Sequence, residues 1–155
     1  MQFAEELLAG KRQGMITVAP DKTVLEVLRI MVEQNIGAIL VEDRGRIVGI
    51  WTERDFVRNS LQAGFVPDQA RIGDYMVTTV HKAAWDTPLI KLQEMYLGLY
   101  TRYVLIEKEG RHVGLLSIGD VLRASLVQKD RQIKELNAMA SWEYYENWQW
   151  EPKPK

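Results

Sequence analysis

Gly49-Ile50-Trp51-Thr52-Glu53-Arg54-Asp55 returns 65 residues later as Gly114-Leu115-Leu116-Ser117-Ile118-Gly119-Asp120. In both copies an apolar run leads into a hydroxyl residue, and an acid follows three positions on. Arg46 to Trp51 reads as a strand, and Phe56, Val57 and Leu61 follow at helical spacing, so Thr52 stands at a helix N-cap. The repetition extends upstream. Leu40, Glu42, Gly45, Arg46 and Val48 recur at the same offset as Leu105, Glu107, Gly110, Arg111 and Val113. Thr23, Leu25, Leu28 and Met31 recur, one residue shorter, as Thr87, Leu89, Leu92 and Met95. Such a chain is an internal duplication of a strand–helix–strand–strand–helix unit. A unit of about 60 residues buries too little surface to stand well alone, so the two copies must cover each other.

Taken in order, Gln2 to Ala9 is a short amphipathic helix, broken by Gly10 and Gly14, and Met15 to Val18 is a strand. Thr23-Val24-Leu25-Glu26 is a capping box; its helix runs to about Gln34, buries Val24, Val27, Leu28 and Met31, and ends at Asn35-Ile36-Gly37. Ala38 to Glu42 and Arg46 to Trp51 form a hairpin about Asp43-Arg44-Gly45, and the Thr52 helix ends near Gly64. In the second copy Met76 to Val80 is the first strand. Thr87 is a helix N-cap with Pro88 at the first helical position, and Leu89, Leu92, Met95 and Tyr96 form the apolar face. Arg102 to Glu107 and Arg111 to Leu116 pair about Lys108-Glu109-Gly110, and Ser117 caps the last helix. The fold class is α/β in the α+β sense: two pseudo-symmetric β-α-β-β-α units packed sheet to sheet about a pseudo-twofold axis, plus N-terminal and long C-terminal helices. Residues 1–66 make the first unit with its N-terminal helix, 67–127 the second, and 128–155 a helical, aromatic-rich extension.

Composition narrows the function. Apolar residues make up 46% and charged residues 26% of 155, and the net charge is −1, so no basic excess points to nucleic acid or an anionic membrane. No apolar run approaches the roughly 20 residues of a bilayer span. Met1 to Arg12 carries Glu5 and Glu6 and has no apolar signal-peptide core, so the cytoplasm is the expected compartment. Cys is absent, and His81 and His112 stand far apart as surface or strand-edge groups, so no metal site is expected. No nucleophile–base arrangement and no Gly-rich phosphate loop occurs.

The recurring hydroxyl–acid pair has two readings. As a capping box it stabilises a helix start by roughly 1 kcal/mol. As a ligand site, the helix N-terminus and hydroxyl meet a phosphate while the acid accepts from ribose hydroxyls. The two readings can coexist.

The duplicated unit, closed each time by Gly-hydrophobic-x-Thr/Ser-x-x-Asp, resembles a tandem pair of CBS domains, the Bateman module. Val18-Ala19-Pro20-Asp21-Lys22-Thr23-Val24, Ile36-Gly37-Ala38, Thr52-Glu53-Arg54-Asp55, Ile72-Gly73-Asp74-Tyr75-Met76 and Ser117-Ile118-Gly119-Asp120 resemble strings of stand-alone bacterial CBS pairs, and the likeness covers roughly Ala9 to Val127. The resemblance implies a regulatory, signal-transducing module and not an enzyme, with adenosyl ligands (AMP, ADP, ATP, NAD or S-adenosylmethionine) in clefts between the halves, and a homodimer shaped as a flat disc. It implies that Thr52 and Asp55 hold phosphate and ribose in the first site, and Ser117 and Asp120 in the second. It implies that Thr17-Val18 and Thr79-Val80 flank the adenine, while Ala38-Ile39 and Tyr103-Val104 offer backbone groups. Val18, Ile39, Val80 and Val104 serve equally well as core strand residues. Arg54 and Arg102 can reach phosphate or remain solvated; Arg58 is assigned to the surface. The sites should be unequal: Gly37-Ala38 leaves room in the first half, Arg102-Tyr103 fills the equivalent place in the second, and Arg54 has Gly119 as its counterpart. Trp51, where the family usually carries a smaller aliphatic residue, should alter the first cleft.

Beyond Asp120 the helical pattern continues through Val121, Leu122, Leu126, Ile133 and Leu136. Trp142, Tyr144, Tyr145, Trp148 and Trp150 then form an aromatic cluster expected to be covered, by the chain's own core or a second copy ahead of a separate regulated protein. Glu143, Glu146 and Glu151 argue against stacking with nucleic-acid bases. Pro152 to Lys155 reads as a disordered end.

Overall fold

The structure is a computed structural model that describes residues 1–147 apart from Arg12, with side chains as far as Ala140. Each half builds one three-stranded sheet. In the first, β1 (Thr17–Val18) runs parallel to β2 (Ala38–Asp43), which pairs antiparallel with β3 (Arg46–Thr52). The parallel pair is joined through α2 (Val24–Gln34), as a parallel connection requires. Thr23 caps α2 with the expected reciprocal box to Glu26, and Asn35 ends it in the left-handed conformation (φ 52°). Thr52 then starts α3 (Glu53–Ser60).

The second half repeats the plan: β4 (Lys82–Ala84), α5 (Leu89–Gly98), β5 (Tyr103–Lys108), β6 (Arg111–Ser117) and α6 (Ile118–Asn147), with the short α4 (Ile72–Tyr75) before it. The sheet orders are β1-β2-β3 and β4-β5-β6. Even the irregularities are duplicated. Both hairpins turn on two positive-φ residues, Arg44-Gly45 and Glu109-Gly110, whose mirror-image turn suits the strand twist. The register slips between Val41 and Glu42 and again between Ile106 and Glu107.

The sheets face each other through Ala38, Leu40, Ile50 and Leu105, flanked by Met15, Val80, Tyr103 and Leu115. Leu40 and Leu105 are the same position of the repeat, so the seam is pseudo-symmetric. The helices cover the outer faces. Each unit is closed by a segment that precedes the other unit. α1 (Ala4–Ala9) puts Ala4 and Leu7 into the second core beside Leu89, Leu92, Tyr96 and Leu116, and Ala4 donates its N–H to the Thr87 carbonyl at 2.9 Å. Ala70 and Ile72 enter the first core beside Val24, Ile39 and Trp51.

These crossings need glycine. A Cβ on Gly49 would lie 2.5 Å from Met76 Sδ and 3.0 Å from the Val77 carbonyl oxygen; one on Gly114 would lie 2.5 Å from Leu8 Cδ2. Val77 can therefore exchange backbone hydrogen bonds with Ile50 at 2.9 and 2.8 Å, and Leu8 can lie across β6.

Three expectations change. Met76 to Val80 is not the first strand of the second half: β4 is Lys82–Ala84, aligned to β5 through Lys82↔Leu105. The β-prone run is used for the crossing to β3, and tertiary pairing overrides its propensity. Thr87 is not the N-cap of α5. Pro88 holds that place without a side-chain cap. α3 stops at Ser60, short of Gly64. The rings of the C-terminal aromatic cluster and the Pro152–Lys155 end lie outside the described side chains and residues.

Gly49→Ala should lower stability by about 1–3 kcal/mol, because its Cβ meets the Val77 carbonyl as well as the Met76 side chain, whereas Gly114→Ala should cost less, because only the Leu8 side chain must turn. Urea unfolding of the two variants measures the order.

Candidate functional site

Two clefts open along the edges of the seam, and each draws on both halves. The smaller, about 240 Å³, has at its base the turn from β3 into α3. The Asp55 N–H donates to Thr52 Oγ1 at 3.3 Å, while Asp55 Oδ2 accepts from the Thr52 N–H and hydroxyl, each at 3.0 Å. Asp55 is buried, and Arg58 Nη1 approaches its other oxygen at 3.5 Å. Glu53, Arg54 and Arg58 complete the near wall. Val77, Thr79, Val80, His81 and the segment Leu99 to Tyr103 supply the far wall from the second half.

The larger cleft, about 900 Å³, has Ser117 and Asp120 at its base and Gln34 to Ala38 of the first half opposite. Ser117 donates its N–H to Asp120 Oδ2 at 2.8 Å, and the Asp120 N–H donates to Ser117 Oγ at 3.1 Å. The same Oδ2 accepts from Lys11 Nζ at 2.9 Å, and Nζ also donates to the Leu115 carbonyl at 2.7 Å. Burial works to raise the Asp120 pKa, but the hydrogen bond from Lys11, the Ser117 N–H and the ammonium charge outweigh it and hold the acid below its usual range. Arg123 Nη1 stands 3.8 Å from Oδ1.

Tyr103 lines both clefts. Its hydroxyl fills the space over Gly37, where a Cβ would sit 2.6 Å from it. Burial raises the pKa of the phenol, the Glu53 carboxylate raises it further, and Arg102 partly opposes the rise.

The family model described as the CBS domain matches residues 11–62. A crystal structure of a CBS-domain containing protein from Agrobacterium tumefaciens superposes with a TM-score of 0.75 and 33% identity, covering 80% of this chain and 99% of that one. This chain belongs to the CBS-domain family. A mitochondrial CBS domain-containing protein of Arabidopsis thaliana, CBSX3, is 30% identical over 76% of this chain, and the match spans 60% of that protein, less than two thirds of its length. The fold is shared with CBSX2, crystallised in complex with AMP, at a TM-score of 0.70 and 22% identity, covering 83% of this chain and 99% of that one.

The CBS pair brings Thr52, Arg54, Asp55, Val80, Arg102 and Tyr103 to one cleft, and Ala38, Tyr103, Ser117 and Asp120 to the other. Val18, Ile39 and Val104 are core residues, the alternative their strands always allowed. Thr17 lines neither cleft; it pairs with Leu40 two positions beyond Met15, which takes the place Val80 has in the second half. Gly119 is exposed on the first turn of α6, beside the lining rather than in it. Trp51 does not shape its cleft: it is fully buried in the first core, donating its indole N–H to Asn59 Oδ1 at 2.8 Å, because Ile50 takes the seam face of β3. Arg58, assigned to the surface, lines the smaller cleft while remaining largely exposed.

The inequality between clefts runs opposite to the in-half reading. Gly37-Ala38 opens the cleft of the second acid, and Arg102-Tyr103 narrows that of the first. Sequence reasoning missed Lys11, His81 and Arg123. Lys11 carries no motif, His81 reads as a surface or strand-edge group, and Arg123 is a lone charge within the α6 pattern. Among the described residues no cluster of His, Asp and Glu is suited to hold a metal, and no helix is long and apolar enough to cross a membrane.

Asp120 binds its proton less readily folded than unfolded, so its interactions stabilise the protein above the unfolded carboxylate pKa of about 3.9 and fade as pH falls below it. Asp120→Asn should therefore flatten the drop in melting temperature between about pH 5 and pH 2 relative to the wild type, as followed by circular dichroism.

Proposed function

We propose that this CBS pair is a non-enzymatic regulatory module that senses an adenosyl nucleotide, of the AMP, ADP, ATP, NAD or S-adenosylmethionine class. Binding draws the two halves together, and a partner reads the change. The observation that carries this is the composition of the smaller cleft. A helix N-terminus, the Thr52 hydroxyl and three arginines, Arg54, Arg58 and Arg102, line one cleft with a buried acid, Asp55. That set suits a ligand with a phosphate at one end and a ribose diol beside it. The larger cleft has the volume of ordinary small-molecule sites, which run from about 300 to 1,000 Å³. AMP in the crystal of CBSX2, which shares the fold, is consistent with the ligand class.

A ligand that bridges both halves binds only the folded pair. It stabilises by mass action and biases the angle between the units in proportion to its preference for one arrangement. The pair is proposed to act as a homodimer, and its compartment as the cytoplasm.

A second reading is an assembly module without nucleotide. It is favoured by the Lys11–Asp120 pair, which already satisfies the acid of the larger cleft.

Thermal denaturation separates the two. AMP, ATP, NAD or S-adenosylmethionine at about a hundred times its dissociation constant should raise the melting point by roughly 5–10 °C. No rise with any of the four would leave the assembly reading. Calorimetry of Asp55→Ala should show one binding event fewer than wild type. Its melting point is a poor readout, since losing the cap alone costs about 1 kcal/mol.

A further inference from the structure

The two clefts differ in where their positive charge comes from. Arg54, Arg58 and Arg102 line the cleft of Asp55. The equivalent positions around Asp120 are Gly119, Arg123 and Gly37, so two of the three cations are replaced by glycine. Gly119 is exposed, and the Gly37 space is taken by the Tyr103 hydroxyl. The repeat positions of the larger cleft therefore supply one cation, Arg123, where those of the smaller supply three.

Lys11 adds a second from outside the repeat. It sits between α1 and β1, itself outside helix and strand, and its side chain is 28% exposed. Its ammonium bridges Asp120 Oδ2 and the Leu115 carbonyl. With the Ser117 N–H, Oδ2 already has two donors, whereas among the described residues Oδ1 has only the distant Arg123. A ribose diol reaching for this carboxylate competes with Lys11. An ammonium displaced there keeps its charge inside a cleft that also holds Glu6 and Asp120. Its four-carbon stem lets it move several ångströms without backbone change.

We propose that Lys11 is the phosphate-binding cation of the Ser117–Asp120 cleft, held on the acid in the empty protein and passed to the anionic end of an incoming nucleotide. This rests on the nucleotide reading above. Lys11 makes the cleft selective for phosphorylated ligands. A neutral nucleoside must break the Lys11–Asp120 pair and offers the lysine no new partner, while a nucleotide exchanges one anionic partner for another.

The test uses Asp55→Ala protein, in which the larger cleft is read alone, and compares AMP with adenosine by calorimetry. AMP should bind at least about tenfold tighter than adenosine, the scale of one charge-assisted hydrogen bond. Adding Lys11→Met, which keeps the stem and removes the charge, should weaken AMP and leave adenosine equal or tighter, bringing the ratio close to one. Adding Lys11→Arg instead should retain most of it. An unchanged ratio in Lys11→Met overturns the role of Lys11 while leaving the nucleotide reading intact. Absence of binding of AMP, ATP, NAD and S-adenosylmethionine to the wild-type protein overturns both.

Discussion

The close passage of chain over two glycines, backbone and Met76 at Gly49 and the Leu8 side chain at Gly114, governs this molecule. At Gly49 and Gly114 a segment from outside the unit lies where a side chain would otherwise stand. Because Val77 can reach Ile50, the edge of β3 is covered and the linker between the units is fixed to the first core. Because Leu8 can cross β6, α1 is fixed to the second core. Each half is thus completed by chain that precedes the other, and the seam through Leu40 and Leu105 is held from both ends. A unit of about 60 residues buries too little surface to be more than marginal alone; the exchange supplies what each lacks.

From that exchange follows the construction of the clefts. The hydroxyl–acid turns belong to β3–α3 and β6–α6, but the walls opposite them come from the partner unit. A ligand in either place touches both halves. Tyr103, shared by the two clefts, adds a physical link between them. Its hydroxyl over Gly37 fits only while the first half stays at its present distance.

What could be read from residues alone was what is local. Thr52 and Asp55, and Ser117 and Asp120, announce helix starts because a hydroxyl and an acid three apart satisfy each other's backbone donors wherever they occur. The duplication, the hairpins and the fold class followed from pattern and period. The errors were non-local. Met76 to Val80 has the composition of a strand, but Val77 spends its backbone hydrogen bonds on Ile50 at the edge of β3. The parity of Ile50 and Trp51 could not be assigned, because both are apolar and each suits a buried face. Gly37 and Arg102 were credited to the cleft of their own half, because nothing in a sequence says that acid and wall are exchanged. Lys11 is one charge in a glycine-flanked loop, and its partner lies 109 residues away.

α6 begins at the acid-bearing turn of the larger cleft and continues for 30 residues. At 1.5 Å per residue it is a rod of about 45 Å, and residues 129–140 of it are exposed. It acts on that turn as a pointer acts on its pivot: a tilt of about 5° at Ser117 sweeps the far end through about 4 Å. Displacements too small to notice among the strands would become large at the tip.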